Sequence, residues 1–170
     1  MRDAASRNYF WELNMNSDSD LLLLYTDGGC HGNPGPGGWA WRLISDRGAV
    51  LAEDAGYESA TTNNRMELTA VIEGLRSADG HRGDAGLRVM TDSQYVRRGI
   101  TEWIAGWKRN GWRTAAKKPV RNDDLWKILD RLNDRLRPSW AWVPGHAGHE
   151  HNEACDRLVQ QAIAAQSAPR

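Results

Sequence analysis

Four carboxylates occupy positions that suit shared chemistry. Asp27 and Asp92 each follow a short apolar run that predicts a buried strand. Glu67 and Asp156 lie on predicted helices, directly beside the apolar stripe, from where a side chain can point towards a strand end. In open sheets that contain parallel pairs, sites form at the carboxyl ends of the strands. We therefore expect the four acids to converge at one edge of a sheet.

Such convergence is untenable unless cations bind or some of the acids are protonated. Two carboxylates about 4 Å apart repel each other by about 4 kcal/mol at an effective dielectric constant of about 20. Oxygen ligands without a cysteine or histidine cluster favour Mg²⁺ or Mn²⁺ over Zn²⁺. Two such ions, about 3.5–4 Å apart, can clamp a phosphodiester for in-line attack by water. The acids therefore predict metal-dependent hydrolysis of a phosphodiester, which together with a basic arm described below would be a nucleic-acid backbone.

Each acid also has an ordinary structural interpretation. Asp27 could be a turn residue, and Asp92 could cap the helix that follows it. Glu67 lies three residues after Asn64 and could complete a capping box. Asp156 could be a solvated helix position. Taken singly, these roles are the commoner ones, so the prediction of a site depends on the four acids together.

One histidine lies in a predicted loop near this site. His146 is flanked by Gly145 and, two residues later, by Gly148, so its loop should be mobile. A lone loop histidine is usually a surface residue, but beside two metal ions it could carry a proton to the leaving group. We interpret His149 and His151 as surface residues.

Residues 97–121 form a basic arm. They contain eight Lys or Arg and one acid, a net charge of +7, so the rest of this chain of zero formal charge carries −7. This separation predicts a polyanion-binding arm and a separate acidic site. The spacing of Trp103 and Trp107 predicts core positions, whereas Trp112 lies in a loop and is expected to contact the ligand. The cations expected to neutralise phosphates without reading sequence are Lys108, Arg109, Arg113, Lys117, Lys118 and Arg121.

Uncharged polar side chains are the other signal near the predicted site. Such groups suit the shallow minor groove and the 2′-hydroxyls of an RNA strand. They are Asn33, Thr62, Asn63, Asn64, Gln94 and Asn122. Residues 28–38, which follow Asp27, contain six glycines and two prolines and are predicted to be irregular.

The order of elements that must position these groups indicates an α/β fold. Apolar periodicity predicts strands ending near Asp27 and at 38–45, 49–57, 87–91 and 139–143. Helices are predicted to begin near residues 63, 93, 123 and 150, the first ending before a loop at 78–86 and the second interrupted near Gly99. The third has an apolar stripe of Leu125, Ile128, Leu129 and Leu132. Three antiparallel strands followed by parallel additions give a mixed five-stranded sheet flanked by helices.

Composition indicates one globular domain. The 170 residues are 40% hydrophobic and 26% charged, and no apolar run approaches the ~18 residues of a membrane span. We predict a flexible extension at 1–20, which lacks the features of a secretory signal, a domain at 21–166 and a frayed tail at 167–170. Cys30 and Cys155 do not make a disulfide framework, so we expect a reduced, cytoplasmic setting.

The sequence closely resembles the bacterial type 1 ribonuclease H family. The matching motifs lie in the family's order across residues 21–163. They are TDGGC and GNPGPGG (26–38), TTNNRMEL (61–68), TDSQYV (91–96), the basic arm through KKPV (117–120), GHAGH (145–149) and NEACD (152–156). The resemblance implies sequence-independent hydrolysis of the RNA strand of RNA–DNA hybrids, leaving 5′-phosphate and 3′-hydroxyl ends.

The resemblance also implies residue roles. Asp27, Glu67, Asp92 and Asp156 would bind two Mg²⁺ ions, with Mn²⁺ as a possible substitute, and His146 would be the mobile proton carrier. The residues that would contact the hybrid, mainly at RNA 2′-hydroxyls, are Cys30 through its backbone, Asn33, Asn63, Asn64 and Gln94. Thr62 and Asn122 would hold a phosphate of the DNA strand. We expect a monomer with the hybrid as partner and no membrane association.

Two positions depart from the family pattern, and two other functions stay open. Ala60 stands where many relatives have an arginine beside the DNA phosphate, and Arg157 follows Asp156 where an acid is expected. One alternative is a non-catalytic module that binds hybrids or double strands, although all four acids are present. Another is a DNA nuclease or integrase of similar fold, which usually has three acids.

Overall fold

A five-stranded mixed sheet forms the centre of the molecule. The computed structural model describes residues 20–167, so most of the predicted extension and tail lie outside the described part. The strands are β1 (Leu21–Cys30), β2 (Gly35–Ile44), β3 (Val50–Thr61), β4 (Gly86–Thr91) and β5 (Ser139–Trp142). Their order is β3-β2-β1-β4-β5; β1 pairs antiparallel with β2, β2 antiparallel with β3, and β1–β4 and β4–β5 are parallel. The predicted sheet is confirmed.

Within residues 20–167, five α-helices and one π-helical segment surround this sheet. The helices are α1 (Asn63–His81), α2 (Gln94–Arg98), α3 (Ile104–Arg109), α4 (Asp123–Leu136) and α5 (Glu150–Ser167). The predicted interruption near Gly99 is confirmed, because a π-helical segment, Gly99–Trp103, separates α2 from α3. A Cβ atom at Gly99 would collide with the Trp126 ring, so glycine allows the close packing there. No helix within residues 20–167 is both long and apolar enough to cross a membrane.

The two faces of the sheet carry cores of different size. On one face, Leu24 of β1 packs with Leu68 of α1 and Trp126 of α4 in a large buried cluster. On the other face, α5 contributes Cys155 and Val159 to a smaller cluster. Strand β1 therefore lies between α1 and α5, and both helices reach the end of the strand where Asp27 is found.

The glycine- and proline-rich segment is not the irregular loop that its composition predicts. Strand β1 continues to Cys30 and β2 begins at Gly35, so only residues 31–34 form the turn. The prediction was wrong because these glycines serve close packing: a Cβ at Gly28 would collide with the backbone of α1, and one at Gly38 would lie 3.1 Å from the Val159 carbonyl oxygen.

Two other expectations needed correction. Helix α1 continues to His81, into the predicted loop at 78–86. In α4 the predicted stripe included Leu125 and Ile128, which are only half-buried, and omitted Trp126, which is fully buried. The Trp126 indole Nε1 donates a hydrogen bond to the Tyr95 hydroxyl at 3.0 Å, so the ring can be buried with its polar atom satisfied.

Candidate active site

Three of the four predicted acids meet at the end of the parallel strand pair. One carboxylate oxygen from each of Asp27, Glu67 and Asp92 lies within 4.8 Å of the others. The register pairs Thr26 of β1 with Thr91 of β4, so the residues that follow them, Asp27 and Asp92, leave the parallel pairing at the same level. Asp27 is 8% and Glu67 6% exposed, whereas Asp92 is half-buried.

Gly28 brings α1 against β1 at this point. A Cβ atom on Gly28 would collide with the carbonyl carbon of Met66 and the amide nitrogen of Glu67. The Gly28 backbone amide also hydrogen-bonds to the carboxylates of Asp27 and Glu67. Because Gly28 has no side chain, Asp27 of β1 and Glu67 of α1 can both accept a hydrogen bond from its backbone amide.

The ordinary interpretations of these acids do not match the structure. Asp27 lies inside β1 and not in a turn. Helix α1 is capped by Thr62, whose Oγ1 accepts a hydrogen bond from the Arg65 amide at 3.3 Å, so Glu67 is not the capping-box residue. Ser93, and not Asp92, caps α2. None of the three acids therefore has a capping or turn function, although two of them are buried and Asp92 is half-buried.

Burial and mutual repulsion favour the protonated forms of these acids. Burial, followed by the charges of Asp92 and Asp156, raises the pKa of Asp27 from 3.8 to about 8. Burial, followed by the charges of Asp27 and Asp92, raises the pKa of Glu67 well above its ordinary value. Burial also raises the pKa of Asp92, opposed by a hydrogen bond from Asn152 and the charge of His146. A bound cation would favour the ionised forms instead.

This donor set fits a divalent metal ion. The ligands are carboxylate oxygens, which hard cations such as Mg²⁺ and Mn²⁺ prefer. In the described part of the chain, Glu67 Oε2 is buried and has no hydrogen-bond partner, so one ligand atom is free for a cation. The group is also open to solvent through a cavity of about 300 Å³.

Asp156 lines this cavity without joining the three-acid group. It lies on α5, is half-buried, and influences the pKa values of Asp27 and Asp92 through its charge. His146 lines the same cavity from an exposed loop and adopts a positive φ of 54°. The structure therefore places both residues beside the acids, at the open side of the site.

The predicted substrate-contacting residues fall into two neighbouring groups. Cys30 and Asn63 line the acidic cavity. A second cavity of about 240 Å³ is lined by Asn33, Pro34, Thr62, Asn64, Arg121 and Asn122. The Asn33 Oδ1 accepts a hydrogen bond from the Asn63 amide at 3.1 Å, which ties the β1–β2 turn to the start of α1. Gln94 is exposed on α2, where its Oε1 accepts from the Arg97 Nε at 3.2 Å.

The second cavity is lined by a basic side chain, Arg121, although Ala60 replaces the arginine that many relatives have. Ala60 is exposed on β3, while the lining residue Arg121 comes from the loop before α4. Asn122 beside it is held by two contacts: its Oδ1 accepts from the Arg65 Nη1 at 3.3 Å, and its Nδ2 donates to the Tyr95 hydroxyl at 3.2 Å. The cavity is therefore basic, and the side-chain amide of Asn122 is fixed in orientation.

The basic arm differs in part from the prediction. Arg109, Lys117 and Lys118 are exposed, as expected of phosphate-contacting cations. Lys108 instead forms an ion pair with Asp130 of α4 at 3.1 Å. The Arg113 Nη1 donates to the Lys117 carbonyl oxygen at 2.9 Å and so stabilises the loop.

Trp112 is held more firmly than its loop position predicts. Its half-buried ring lies 6.4 Å from the Trp107 ring, and the Lys127 ammonium lies 5.5 Å from its centroid. Trp103 and Trp107, predicted to be core residues, are half-buried in the same row of rings. The structure thus makes Trp112 part of the packing that supports the arm.

Two residues near Asp92 were not singled out from the sequence. Asn152 of α5 is 3% exposed and hydrogen-bonds to the Asp92 side chain. Trp142 of β5 is 45% exposed, and its indole Nε1 donates to the Asp92 carbonyl oxygen at 3.1 Å. Asn152 begins the NEACD motif, so that motif was the available signal for it.

Comparison with known proteins identifies the family. A family model described as RNase H matches residues 19–164. Ribonuclease HI of Neisseria meningitidis serogroup A / serotype 4A is 56% identical over 146 residues, covering 86% of this chain and 97% of that protein. Ribonuclease H of Treponema pallidum subsp. pallidum is 53% identical over 159 residues, covering 86% and 94%. The crystal structure of LC9-RNase H1, a type 1 RNase H with the type 2 active-site motif, has a TM-score of 0.75 at 35% identity, covering 87% of this chain and 74% of that chain. The chain therefore belongs to the ribonuclease H family, in its bacterial type 1 branch.

Proposed function

We propose that this chain is a metal-dependent endonuclease that hydrolyses the RNA strand of RNA–DNA hybrids and leaves 5′-phosphate and 3′-hydroxyl ends. The observation that carries the proposal is the group of three acids, two of them buried, beside a cavity open to solvent in a chain of this family. Nothing in the described structure favours a non-catalytic module, because no member of the acidic group is replaced.

The acids would hold the metal. Asp27, Glu67 and Asp92, with Asp156 at the open side, would bind two Mg²⁺ ions, and Mn²⁺ would substitute for them. When bound, such ions polarise the phosphate and lower the pKa of a bound water. The raised pKa values of Asp27 and Glu67 imply that metal binding releases protons from the site.

The remaining side chains of the cavity would orient substrate and move the proton. His146 lies in an exposed loop beside Asp92, where it would donate a proton to the leaving 3′-oxygen. The Cys30 backbone, Asn63 and Gln94 would contact RNA 2′-hydroxyls. Recognition of these hydroxyls would direct cleavage to the RNA strand.

The second cavity and the basic arm would hold the hybrid by its backbone. Thr62 and Asn122, with Arg121 beside them, would bind a phosphate of the DNA strand, and Asn33 and Asn64 would contact the hybrid next to it. The exposed cations of the arm would bind further phosphates without sequence preference; they are Arg109, Arg113, Lys117 and Lys118. We further propose that residues 21–166 are the catalytic domain of a cytoplasmic monomer.

A cleavage assay tests the function directly. The protein is incubated with end-labelled RNA–DNA hybrid, RNA duplex and DNA duplex, with Mg²⁺ and with a chelator. We expect cleavage only of the hybrid, only in its RNA strand, and only with Mg²⁺. Cleavage of the DNA duplex, or an intact hybrid in Mg²⁺, would overturn the proposal.

A further inference from the structure

Asn152 occupies an unusual position between α5 and the acidic group. It lies in the first turn of α5, is 3% exposed, and lines the cavity that contains the three acids. Its side chain hydrogen-bonds to Asp92, the least buried of these acids. No role has so far been assigned to this amide.

The chemistry of the pair fixes the orientation of the amide. The hydrogen bond from Asn152 lowers the pKa of Asp92 and so favours the ionised carboxylate, which only accepts hydrogen bonds. Asn152 therefore presents its Nδ2 to Asp92. Its Oδ1 is then directed elsewhere, and within residues 20–167 this buried atom has no hydrogen-bond partner. A buried amide oxygen without a partner is unfavourable, which indicates that a donor arrives with the ligand.

Two other residues from the same part of the chain lie close against Asp92. The Trp142 indole donates to the Asp92 carbonyl oxygen, and a Cβ at Gly145 would lie 2.8 Å from Asp92 Oδ2. Asp27 and Glu67, by contrast, are held by Gly28. The orientation of Asp92 therefore depends on β5, the following loop and α5.

We propose that Asn152 is a positioning residue for the metal site. Its Nδ2 holds the Asp92 carboxylate towards Asp27 and Glu67, and its Oδ1 accepts a hydrogen bond from water that hydrates the bound cation. This inference rests on the proposed function, because it requires a cation among the acids. Residues that orient metal ligands commonly change metal affinity or activity by about 10–100-fold when removed.

The test compares Asn152→Ala and Asn152→Ser with wild type, using the full chain. Alanine removes both hydrogen bonds, and serine is polar but too short to reach Asp92. Asn133→Ala is the matched control, because its Oδ1 accepts one hydrogen bond, from the Trp140 Nε1 at 2.9 Å, away from the acids. Calorimetric titration of the metal-free proteins with Mg²⁺ gives the affinity, and thermal denaturation in chelator gives the stability.

We expect both Asn152 variants to fold and to raise the Kd for Mg²⁺ about 10–100-fold, with Asn133→Ala unchanged. In the cleavage assay their rate should recover as Mg²⁺ is raised, with KM for the hybrid unaltered. An unchanged Kd for Mg²⁺, a rate loss that high Mg²⁺ does not relieve, or failure of both variants to fold would overturn the proposal. Wild type that binds Mg²⁺ but leaves the hybrid intact would refute the proposed function alone, because the affinities would still test Asn152.

Discussion

The acidic cavity and the basic arm both collect charges of one sign, but by opposite physical means. In the cavity, three carboxylates lie within 4.8 Å of one another, two of them buried, and burial raises their pKa values. On the arm, the basic side chains are exposed and separated along the chain, and Lys108 forms an ion pair with Asp130. Buried like charges must be relieved by protonation or by a bound counter-ion, whereas exposed ones are screened by water and salt.

The two regions are also supported differently. The acids depend on backbone approach at Gly28 and on the register of β1 and β4. The arm depends on aromatic packing, in which the Trp107 ring lies 5.2 Å from Trp126 and 6.4 Å from Trp112. Substitutions in the cavity should therefore abolish cleavage while the hybrid still binds. Substitutions on the arm should weaken binding of the hybrid while the bound hybrid is still cleaved.

Asp27→Asn should have the largest effect. It removes a central carboxylate without changing shape, so we expect turnover at the background level and greatly weakened Mg²⁺ binding. Binding of the hybrid in chelator, measured by electrophoretic mobility shift, should be retained, because the arm is unaltered. Asp84→Asn, in an exposed loop, is the control. Loss of hybrid binding in Asp27→Asn would contradict the division between the two regions.

Gly28→Ala should disrupt the acidic cavity by displacing the backbone of α1. The added methyl would collide with Met66 and Glu67 and force α1 away from β1. Overpacking of this kind costs about 1–3 kcal/mol of stability, and displacement of Glu67 should also remove most activity. Gly80→Ala in α1 is the matched control, since in the described structure its Cβ would meet nothing within 4 Å and alanine favours a helix. Equal stability and activity in the two variants, measured by urea denaturation and turnover, would refute this reason for glycine at position 28.

A smaller effect is expected on the arm. Arg109 and Lys118 are exposed, and neither forms an ion pair within residues 20–167. The double variant Arg109→Gln/Lys118→Gln should raise KM for the hybrid several-fold, since each exposed charge contributes about 0.2–1 kcal/mol, and leave kcat unchanged. The slope of log KM against log salt should fall by about 1 for each cation removed. Arg47→Gln, in the β2–β3 turn, should change neither quantity, and a fall in kcat of the double variant would contradict the comparison.

The sequence was informative wherever a local pattern determines the structure. Apolar periodicity located the strands and helices, and the positions of Asp27, Glu67 and Asp92 relative to them predicted the acidic group. It was misleading at residues 28–38, because glycine composition alone does not distinguish a flexible loop from a strand packed closely against helices.

Contacts between distant segments were the part that the sequence did not reveal. The ion pair of Lys108 with Asp130 and the packing of Trp112 on Trp107 depend on how α3 and α4 meet. The hydrogen bond from Asn152 to Asp92 likewise depends on where α5 crosses the sheet. Such partners are set by tertiary packing, which no local periodicity encodes.

The last predicted effect concerns pH and the metal-free protein. The pKa of Asp27 is about 8 in the folded state and near 3.8 unfolded, so between these values the folded state binds the extra proton. The free energy of unfolding should therefore fall as pH rises from about 4 to about 8, and level off above that. Glu67 contributes in the same direction, because burial raises its pKa as well.

The difference in stability between wild type and Asp27→Asn separates the titration of Asp27, with its coupling to the neighbouring acids, from the titrating groups elsewhere in the protein. In chelator, urea denaturation at pH 5, 7 and 9 should show wild type losing stability relative to the variant as pH rises. Saturating Mg²⁺ should remove or reverse the trend, because the cation replaces the proton as counter-charge and stabilises the folded state. A constant difference at all three pH values would mean that Asp27 is ionised or solvated in the metal-free cavity, and the contrast between a strained acidic cavity and a screened basic arm would not hold.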